Sequence, residues 1–296
     1  MQITIMGTSS MVPTKERNQI GVFVRTASEG ILIDCGEGMQ RQFKIAGASI
    51  TDITKILISH WHGDHTLGLP GLIQSLSASD YSRTLEIYGP KETKKRIEKM
   101  FEVFVFDRKI ELKIIEIAKE VFFENDVLRL EAMKLEHGIE TLGFNIVEKG
   151  KRKMNIGAVK KLKIPVGPLL GKLQKNEAII LDGKKITPEQ ATYLEDGKKL
   201  SYITDTSLCG NCYKLAENAD LLICEATYAS KLMDKGERYG HMTAKQAGMI
   251  ASKANAKGLI LIHFSARYKN TLELEEDARD VFDNVRCAKD FMKILI

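Results

Sequence analysis

The sequence has 296 residues, of which 44% are hydrophobic and 28% are charged. This length and composition are typical of a folded protein with one large domain or two modest ones, and they exclude a chain that is disordered throughout. The net charge of +5 is only a weak indication of anionic partners.

Neither a membrane anchor nor an export signal is visible in the sequence. No apolar stretch approaches the length of about 18 residues that a bilayer-spanning helix needs. The amino-terminal run MQITIMGTSS lacks a basic segment followed by an apolar run and a cleavage site. The five cysteines are an odd number, which favours reduced thiols over a disulfide framework. We therefore expect a cytoplasmic protein.

Short β-like runs alternate with turn residues and amphipathic helical stretches. No internal repeat is visible, which argues against a solenoid or a propeller. Thr243 is a suitable helix N-cap. The main predicted elements, in chain order, are strands at residues 3–7, 22–26 and 31–34, a helix at 91–104, a strand at 127–135 and a helix at 243–255.

The run HWHGDH is the strongest functional motif. It follows an apolar run and places half of the chain's six histidines within six consecutive positions. His60 and His62 alternate along an extended segment and so point to the same side, while Gly63 lets the chain turn and present Asp64 and His65 to a second position. Imidazole and carboxylate ligands suit Zn²⁺. One motif could therefore serve two metal ions.

Further candidate ligands each follow an apolar strand. His137, Asp205 and His263 occur directly after such runs, where side chains project from a rigid scaffold into the loops at one edge of a sheet. Asp34 also ends a strand. It could be a ligand, but we favour a role in holding a histidine or a backbone group, and a turn-initiating role stays open.

One segment differs sharply in composition from the rest. Residues 149–163 contain seven lysines or arginines and no acid, and they lead into the Gly- and Pro-rich run KIPVGPLLGKLQK. A solvated surface loop would explain an isolated run of charge. The combination with Gly and Pro favours an arm that projects towards polyanions.

With these residues in hand, the whole chain resembles the metallo-β-lactamase superfamily, and within it the short form of the ribonuclease Z family. HWHGDH matches the superfamily motif. VPTKERN at residues 12–18 resembles the PxKxRN loop of the family, and GHMTAKQAG resembles the segment with its catalytic histidine, here His241. The basic arm with PVGPLLGKL resembles the Gly-Pro exosite that grips the tRNA elbow.

The resemblance implies an α/β fold, a four-layer αβ/βα sandwich of two mixed β-sheets flanked by helices. It implies a single domain over residues 1–296 with an inserted, protruding exosite arm at 149–175, and a homodimer. It also implies two Zn²⁺ ions per subunit. The ligands would be His60, His62 and His137 for one zinc and Asp64, His65 and His263 for the other, with Asp205 bridging the two.

The implied activity is removal of the 3′ trailer from precursor tRNA by cleavage just 3′ of the discriminator nucleotide. The catalytic residues would be Asp64, which orients or deprotonates the water, and His241, which protonates the departing 3′ oxygen; Glu225 could orient a site histidine. Phosphate contacts would position the RNA without reading its bases. The residues expected to bind RNA are Lys15, Arg17, Lys151, Arg152, Lys153, Gly167 and Pro168. Lys15 and Arg17 could instead belong to a solvated turn.

Two other functions stay open on sequence alone. One is another hydrolase of this superfamily, such as a thioester hydrolase, a lactonase or a β-lactamase. A secreted β-lactamase would need a signal peptide, and a thioester hydrolase would not need the basic arm. An RNA-binding protein with structural metals is a different class, but ligation by Asp and His alone favours an open catalytic site. The lone pair Cys209 and Cys212 lacks the second pair of a zinc ribbon, so we interpret it as two reduced thiols.

Overall fold

The computed structural model describes residues 1–296. Eighteen strands are present: β1 (Gln2–Gly7), β2 (Gly21–Arg25), β3 (Gly30–Ile33), β4 (Lys55–Leu57), β5 (Leu85–Gly89), β6 (Leu112–Glu116), β7 (Val121–Glu124), β8 (Leu128–Leu135), β9 (Thr141–Glu148), β10 (Lys151–Met154), β11 (Ile179–Leu181), β12 (Lys184–Ile186), β13 (Thr192–Glu195), β14 (Lys198–Ile203), β15 (Leu221–Glu225), β16 (Leu259–Ile262), β17 (Val285–Cys287) and β18 (Lys293–Leu295).

Eleven α-helices connect these strands: α1 (Met39–Ala46), α2 (Gly63–Thr66), α3 (Leu69–Ser77), α4 (Thr93–Val103), α5 (Ile156–Lys161), α6 (Pro168–Gln174), α7 (Pro188–Ala191), α8 (Gly210–Ala216), α9 (Met233–Tyr239), α10 (Ala244–Lys253) and α11 (Leu272–Arg279). None of them has both the length and the apolar character that crossing a bilayer requires. Thr243 caps α10 as predicted, because its side chain accepts a hydrogen bond from the Gln246 N–H.

Two seven-stranded mixed sheets face each other. Their strand orders are β18-β1-β2-β3-β4-β5-β6 and β17-β16-β15-β14-β9-β8-β7, with parallel pairing on one side of each sheet and antiparallel pairing on the other. Side chains alternate along each strand, so Ile31 and Ile33 enter the core between the sheets while Leu32 packs under the helices. Separate apolar clusters lie between each sheet and its helices. The predicted four-layer sandwich is confirmed.

Residues 151–195, here called the arm, form a small folded unit between β9 and β14. β10 pairs antiparallel with β13, with Lys151 opposite Glu195, so the two ends of the arm lie side by side. The arm has its own cluster of buried side chains, which comprises Val159, Ile164, Leu173, Ile179, Ile186 and Ala191. The unit thus runs on to Glu195, beyond the predicted boundary at residue 175, because β13 has to return to close it.

The predicted Gly- and Pro-rich loop is partly helical. Pro168 occupies the first turn of α6, where its missing N–H leaves no helical hydrogen bond unmade. Gly167, directly before it, has a φ of 153°, a conformation that side-chain-bearing residues rarely adopt. Val166, at the same bend, is 95% exposed, so this bend lies at the surface of the arm.

Candidate metal centre and its cleft

The candidate ligands meet at one edge of the two sheets. His60 follows β4, Asp205 follows β14 and His263 follows β16, while His137 follows the antiparallel strand β8. Parallel neighbours such as β15 and β16 end at the same edge, which brings residues far apart in sequence together. Asp64 and His65 lie in the short helix α2 that begins directly after the run of histidines.

One group of ligand atoms comes from three histidines and a carboxylate. The His62 Nδ1 atom lies 3.0 Å from His60 Nε2 and 3.3 Å from His137 Nε2. Asp205 Oδ2 lies 3.7 Å from His60 Nε2 and 3.9 Å from His137 Nε2. These atoms are close enough to surround a single ion.

A second group lies on the other side of Asp205. Asp64 Oδ2 is 3.5 Å from His65 Nε2 and 3.4 Å from His263 Nε2. Asp205 Oδ1 is 3.4 Å from His65 Nε2 and 3.1 Å from His263 Nε2. The two oxygens of Asp205 therefore face different groups, which is the arrangement of a bridging carboxylate.

The chemistry of these residues fits metal ions. Asp64 Oδ1 and His65 Nε2 are buried polar atoms without any hydrogen-bond partner, and such atoms are costly unless something satisfies them. Burial, followed by the charge of the neighbouring His65, lowers the pKa of His60 well below its usual value, which favours the neutral imidazole that binds metal. All donors are nitrogen or oxygen, which suits Zn²⁺.

The carboxylates around the second ligand group favour a positive charge there. Burial raises the pKa of Asp64, but the neighbouring His263 and His65 outweigh burial and lower it. Burial lowers the pKa of His65, but Asp205 and Asp34 outweigh burial and raise it well above its usual value. A proton on His65 or a metal ion can supply the positive charge that these groups stabilise.

Residues behind the ligands fix their orientation. Asp34 Oδ2 accepts a hydrogen bond from His65 Nδ1 at 2.8 Å, so Asp34 positions a ligand, which is the role we favoured from sequence. The Gly240 carbonyl accepts from His137 Nδ1 at 2.9 Å, and the Thr227 hydroxyl lies 3.0 Å from His263 Nδ1. These contacts leave the Nε2 atoms of His65, His137 and His263 directed at the metal centre.

Three residues of the centre have left-handed backbone conformations. The φ angles are 57° for Asp34, 30° for Asp205 and 62° for His263. Such conformations are strained for residues other than glycine and persist where the surrounding structure imposes them. All three occur where a strand ends, so the backbone turns sharply and directs Asp205 and His263 into the cleft and Asp34 at His65.

His241 lies at the rim of the same centre, beside a buried carboxylate. Its Nδ1 is 3.2 Å from Glu225 Oε1, and Glu225 also accepts hydrogen bonds from the Thr206 N–H and the Thr227 hydroxyl. Burial by itself lowers the pKa of His241, but Glu225, followed by Asp205, raises it to about 9. The structure thus gives Glu225 the orienting contact that we hypothesised, and the charge of Glu225 favours the protonated form of His241.

In the PxKxRN loop one basic side chain faces solvent and the other contacts the body of the protein. Lys15 is exposed. Arg17 donates a hydrogen bond to the Tyr268 carbonyl at 2.7 Å, and the Asn18 N–H donates to Asp290 at 2.7 Å. Arg17 therefore holds the loop against the body of the protein, and Lys15 is the cation of this loop that faces solvent.

The basic side chains of the arm also fall into two sets. Arg152 lies 2.8 Å from Glu189 of α7, and Lys153 is paired with Glu195 of β13, so both belong to ion pairs within the arm. The sequence could not show this, because both partners are about 40 residues away. The arm lysines that have no carboxylate partner are Lys151, Lys160, Lys161, Lys163, Lys172, Lys175, Lys184 and Lys185.

Sequence reasoning missed one wall of the cleft. Tyr228, Lys235 and Tyr239 line it together with the metal-centre histidines. Tyr228 lies beyond the end of β15, and the other two belong to α9, a helix whose place beside the metal centre follows from its packing and not from a motif. The CxxC pair lies elsewhere. Cys209 and Cys212 are buried free thiols with their Sγ atoms 3.5 Å apart.

Comparison with known proteins identifies the family. A family model described as Anti-Pycsar protein Apyc1 matches residues 1–149, and one described as a beta-lactamase superfamily domain matches residues 190–264. Human tRNase Z, short form, has a similar structure, with a TM-score of 0.74, 29% sequence identity, and coverage of 100% of this chain and 99% of that one.

Relatives in archaea and bacteria match over nearly the full length. Ribonuclease Z of Archaeoglobus fulgidus is 38% identical, over 99% of this chain and 97% of the relative. Ribonuclease Z of Protochlamydia amoebophila is 37% identical, over 98% of this chain and 95% of the relative. With its four-layer sandwich and its clustered His and Asp side chains, the chain belongs to the ribonuclease Z family of metallo-β-lactamase-fold proteins.

Proposed function

We propose that this protein is a zinc-dependent endoribonuclease that removes the 3′ trailer from precursor tRNA. It would cleave 3′ of the discriminator nucleotide and leave a 3′ hydroxyl on the tRNA and a 5′ phosphate on the trailer. The observation that carries the proposal is the pair of ligand groups joined by Asp205, in a chain of the ribonuclease Z family. A cytoplasmic location remains a prediction from sequence.

The two groups would hold one Zn²⁺ each: His60, His62 and His137 for the first, Asp64, His65 and His263 for the second, with Asp205 shared. Zinc ions bound there would supply hydroxide near neutral pH and stabilise the charge on the phosphate oxygens. The nitrogen and oxygen donors support zinc, and the unpartnered buried Nε2 atom of His65 supports occupancy of the second group.

Asp64 would orient or deprotonate the attacking water. Its carboxylate faces the cleft, and its lowered pKa keeps it ionised, which suits the orienting of water and makes it a weak base. His65 and His263 hold Oδ2, which leaves Oδ1 without a protein partner. That free oxygen is the one available to a water molecule.

His241 would act as the acid for the departing 3′ oxygen. A leaving alkoxide needs a proton, and a histidine that is protonated at neutral pH can donate it. Glu225 supports this role in two ways, since its carboxylate both orients Nδ1 at 3.2 Å and stabilises the charged ring. The opposite nitrogen, Nε2, is then the donor to the substrate.

The arm would bind the tRNA body away from the cleaved bond. It contains ten basic and four acidic residues, so its net charge of +6 exceeds the +5 of the whole chain. Lysines without carboxylate partners can neutralise phosphates and supply affinity and register without reading bases. We also propose a homodimer in which the arm of one subunit holds the tRNA that is cleaved at the other's centre.

The predicted RNA contacts fall into an exposed set and a set whose side chains already contact other groups of the protein. Lys15, Lys151, Gly167 and Pro168 remain proposed contacts, because Lys15 and Lys151 are exposed and the Gly-Pro bend lies at the surface. The role proposed for the ion-paired or hydrogen-bonded residues Arg17, Arg152 and Lys153 is chiefly to hold the loop and the arm in shape.

The test is incubation with a 3′-extended precursor tRNA, with and without a chelator, followed by mapping of both product ends. We expect one cut after the discriminator nucleotide, with the ends stated above, and loss of cutting when the metal is removed. Restoration by added Zn²⁺ would identify the ion. Rapid cleavage of a thioester by a protein that leaves precursor tRNA intact would overturn the proposal and favour a thioester hydrolase.

A further inference from the structure

The wall of the cleft formed by Tyr228, Lys235 and Tyr239 has no part in the chemistry described above. Tyr239 is an aromatic residue that is 52% exposed beside the metal centre. The Lys235 ammonium lies 5.9 Å from the ring centroid of Tyr228 and 6.0 Å from that of Tyr239. The wall therefore presents an aromatic face next to a cation.

The wall is fixed to the residues of the centre. Gly240 ends α9 with a φ of 68°, and its carbonyl accepts the hydrogen bond from the ligand histidine His137. His241 follows directly in the chain, and the ring centroid of Tyr228 is 6.3 Å from that of His241. Because α9 leads straight into these contacts, Tyr239 and Lys235 have a defined position relative to the acid of the reaction.

The position of His241 tells which side of the cleaved bond lies against this wall. An acid that protonates the leaving oxygen has to lie next to the leaving group. In the proposed reaction the leaving oxygen is the 3′ oxygen of the discriminator nucleotide. The side chains around His241 therefore face that nucleotide, on the tRNA side of the cut, and not the trailer.

We infer that Tyr239 and Lys235 form a subsite for the discriminator nucleotide, an inference that rests on the proposed function. Tyr239 stacks on the base of this unpaired nucleotide, in the way that aromatic side chains hold single-stranded RNA, and the stack does not depend on which base is present. Lys235 binds the phosphate on the 5′ side of the same nucleotide. Together they place the 3′ oxygen within reach of His241, so these are positioning residues that help to set the cleavage site.

The test compares two precursor tRNAs that differ only at the discriminator position, one with its natural base and one with an abasic nucleotide. For Tyr239→Leu, we expect kcat/KM on the natural substrate to fall about 10-fold, the effect of losing one base stack. No further fall is expected on the abasic substrate, because its stack is already missing. Tyr239→Phe keeps the ring and is expected to behave like the wild type on both substrates.

Lys235 provides an independent part of the experiment. Lys235→Gln is expected to lower kcat/KM by a similar factor on both substrates, since a phosphate contact does not need the base. The matched control is Lys231→Gln, which removes a lysine that is paired with Glu273 outside the cleft and is expected to change neither.

Two results would overturn the subsite. One is an equal loss for Tyr239→Leu on both substrates, and the other is no loss at all. Failure of the proposed function would look different, because the wild type would then cleave neither precursor.

Discussion

The metal centre and the arm differ in how their side chains are held. His60 and His65 are 0% exposed, and Ser59 and Asp34 contact their Nδ1 atoms and fix their orientation. The arm has a small core of its own, and Val166 at its Gly-Pro bend is 95% exposed.

This difference supports the proposed division of labour, in which the centre cleaves the bond and the arm binds the RNA. Bond cleavage needs atoms placed to within a fraction of an ångström, which a strand edge between two large cores provides. Holding a phosphate backbone needs charge and reach, which exposed lysines on a small unit provide. Changes at the centre should therefore affect every phosphodiester substrate, and changes in the arm should affect tRNA selectively.

The largest effect is expected from Asp64→Ala. The variant loses both a metal ligand and the base, so kcat on precursor tRNA and on a small phosphodiester should each fall by about 10,000-fold. Steady-state kinetics and metal analysis check this, with the exposed Asp126→Ala as the matched control. Normal turnover by Asp64→Ala would remove Asp64 from the mechanism.

His241→Ala should have a smaller and substrate-dependent effect. Precursor tRNA has an alkoxide leaving group that needs a proton, so kcat should fall by about 1,000-fold. Bis(p-nitrophenyl) phosphate has a leaving group that is stable as an anion, so its loss should be much smaller. Equal losses on both substrates would show that His241 is structural and not an acid.

The arm lysines should act through salt-dependent affinity. Replacing Lys160, Lys161 and Lys163 by Gln together should raise KM for precursor tRNA. It should also reduce the slope of log kcat/KM against log salt by about 2. The control is a triple Gln variant of lysines that already have acidic partners elsewhere, namely Lys231, Lys245 and Lys257. If the slope of log kcat/KM against log salt is the same as in the wild type, the RNA does not contact Lys160, Lys161 and Lys163.

Glu225→Gln should shift the pH profile while keeping most of the activity at low pH. His241 acts as an acid only when protonated, that is, below its pKa, which Glu225 helps to raise to about 9. Removing the charge of Glu225 lowers that pKa, so the alkaline decline of kcat should begin at lower pH. Glu237→Gln, an exposed change nearby, is the control. An unmoved alkaline limb would separate Glu225 from the acid.

The sequence predicted the centre better than the arm or the cleft wall, for physical reasons. HWHGDH is local, and the distant residues His137, Asp205 and His263 share a recognisable place after apolar strands. The return of the arm through β13 gives no comparable signal, because its pairing with β10 depends on the fold. No sequence signal pairs Arg152 with an acidic residue, because Glu189 contacts it only in the folded arm.

The wall of Tyr228, Lys235 and Tyr239 was missed because α9 contains no motif. Only the packing of the helix against the centre, through Gly240 and His137, reveals its position. Glu225 is an intermediate case. Its place at the end of β15 suggested a role near a histidine, but the identity of that histidine required the structure.

The division of labour is tested most directly by removing the arm cleanly. A Cβ atom on Gly197 would lie 2.9 Å from the Gly150 nitrogen, so these glycines are close enough to be joined after deletion of residues 151–196. The measurement is kcat/KM of the deletion variant for precursor tRNA and for bis(p-nitrophenyl) phosphate. We expect a fall of about 100-fold for precursor tRNA, from the loss of several phosphate contacts, and little change for the small substrate. An equal fall on both substrates from a folded, metal-loaded variant would contradict the account.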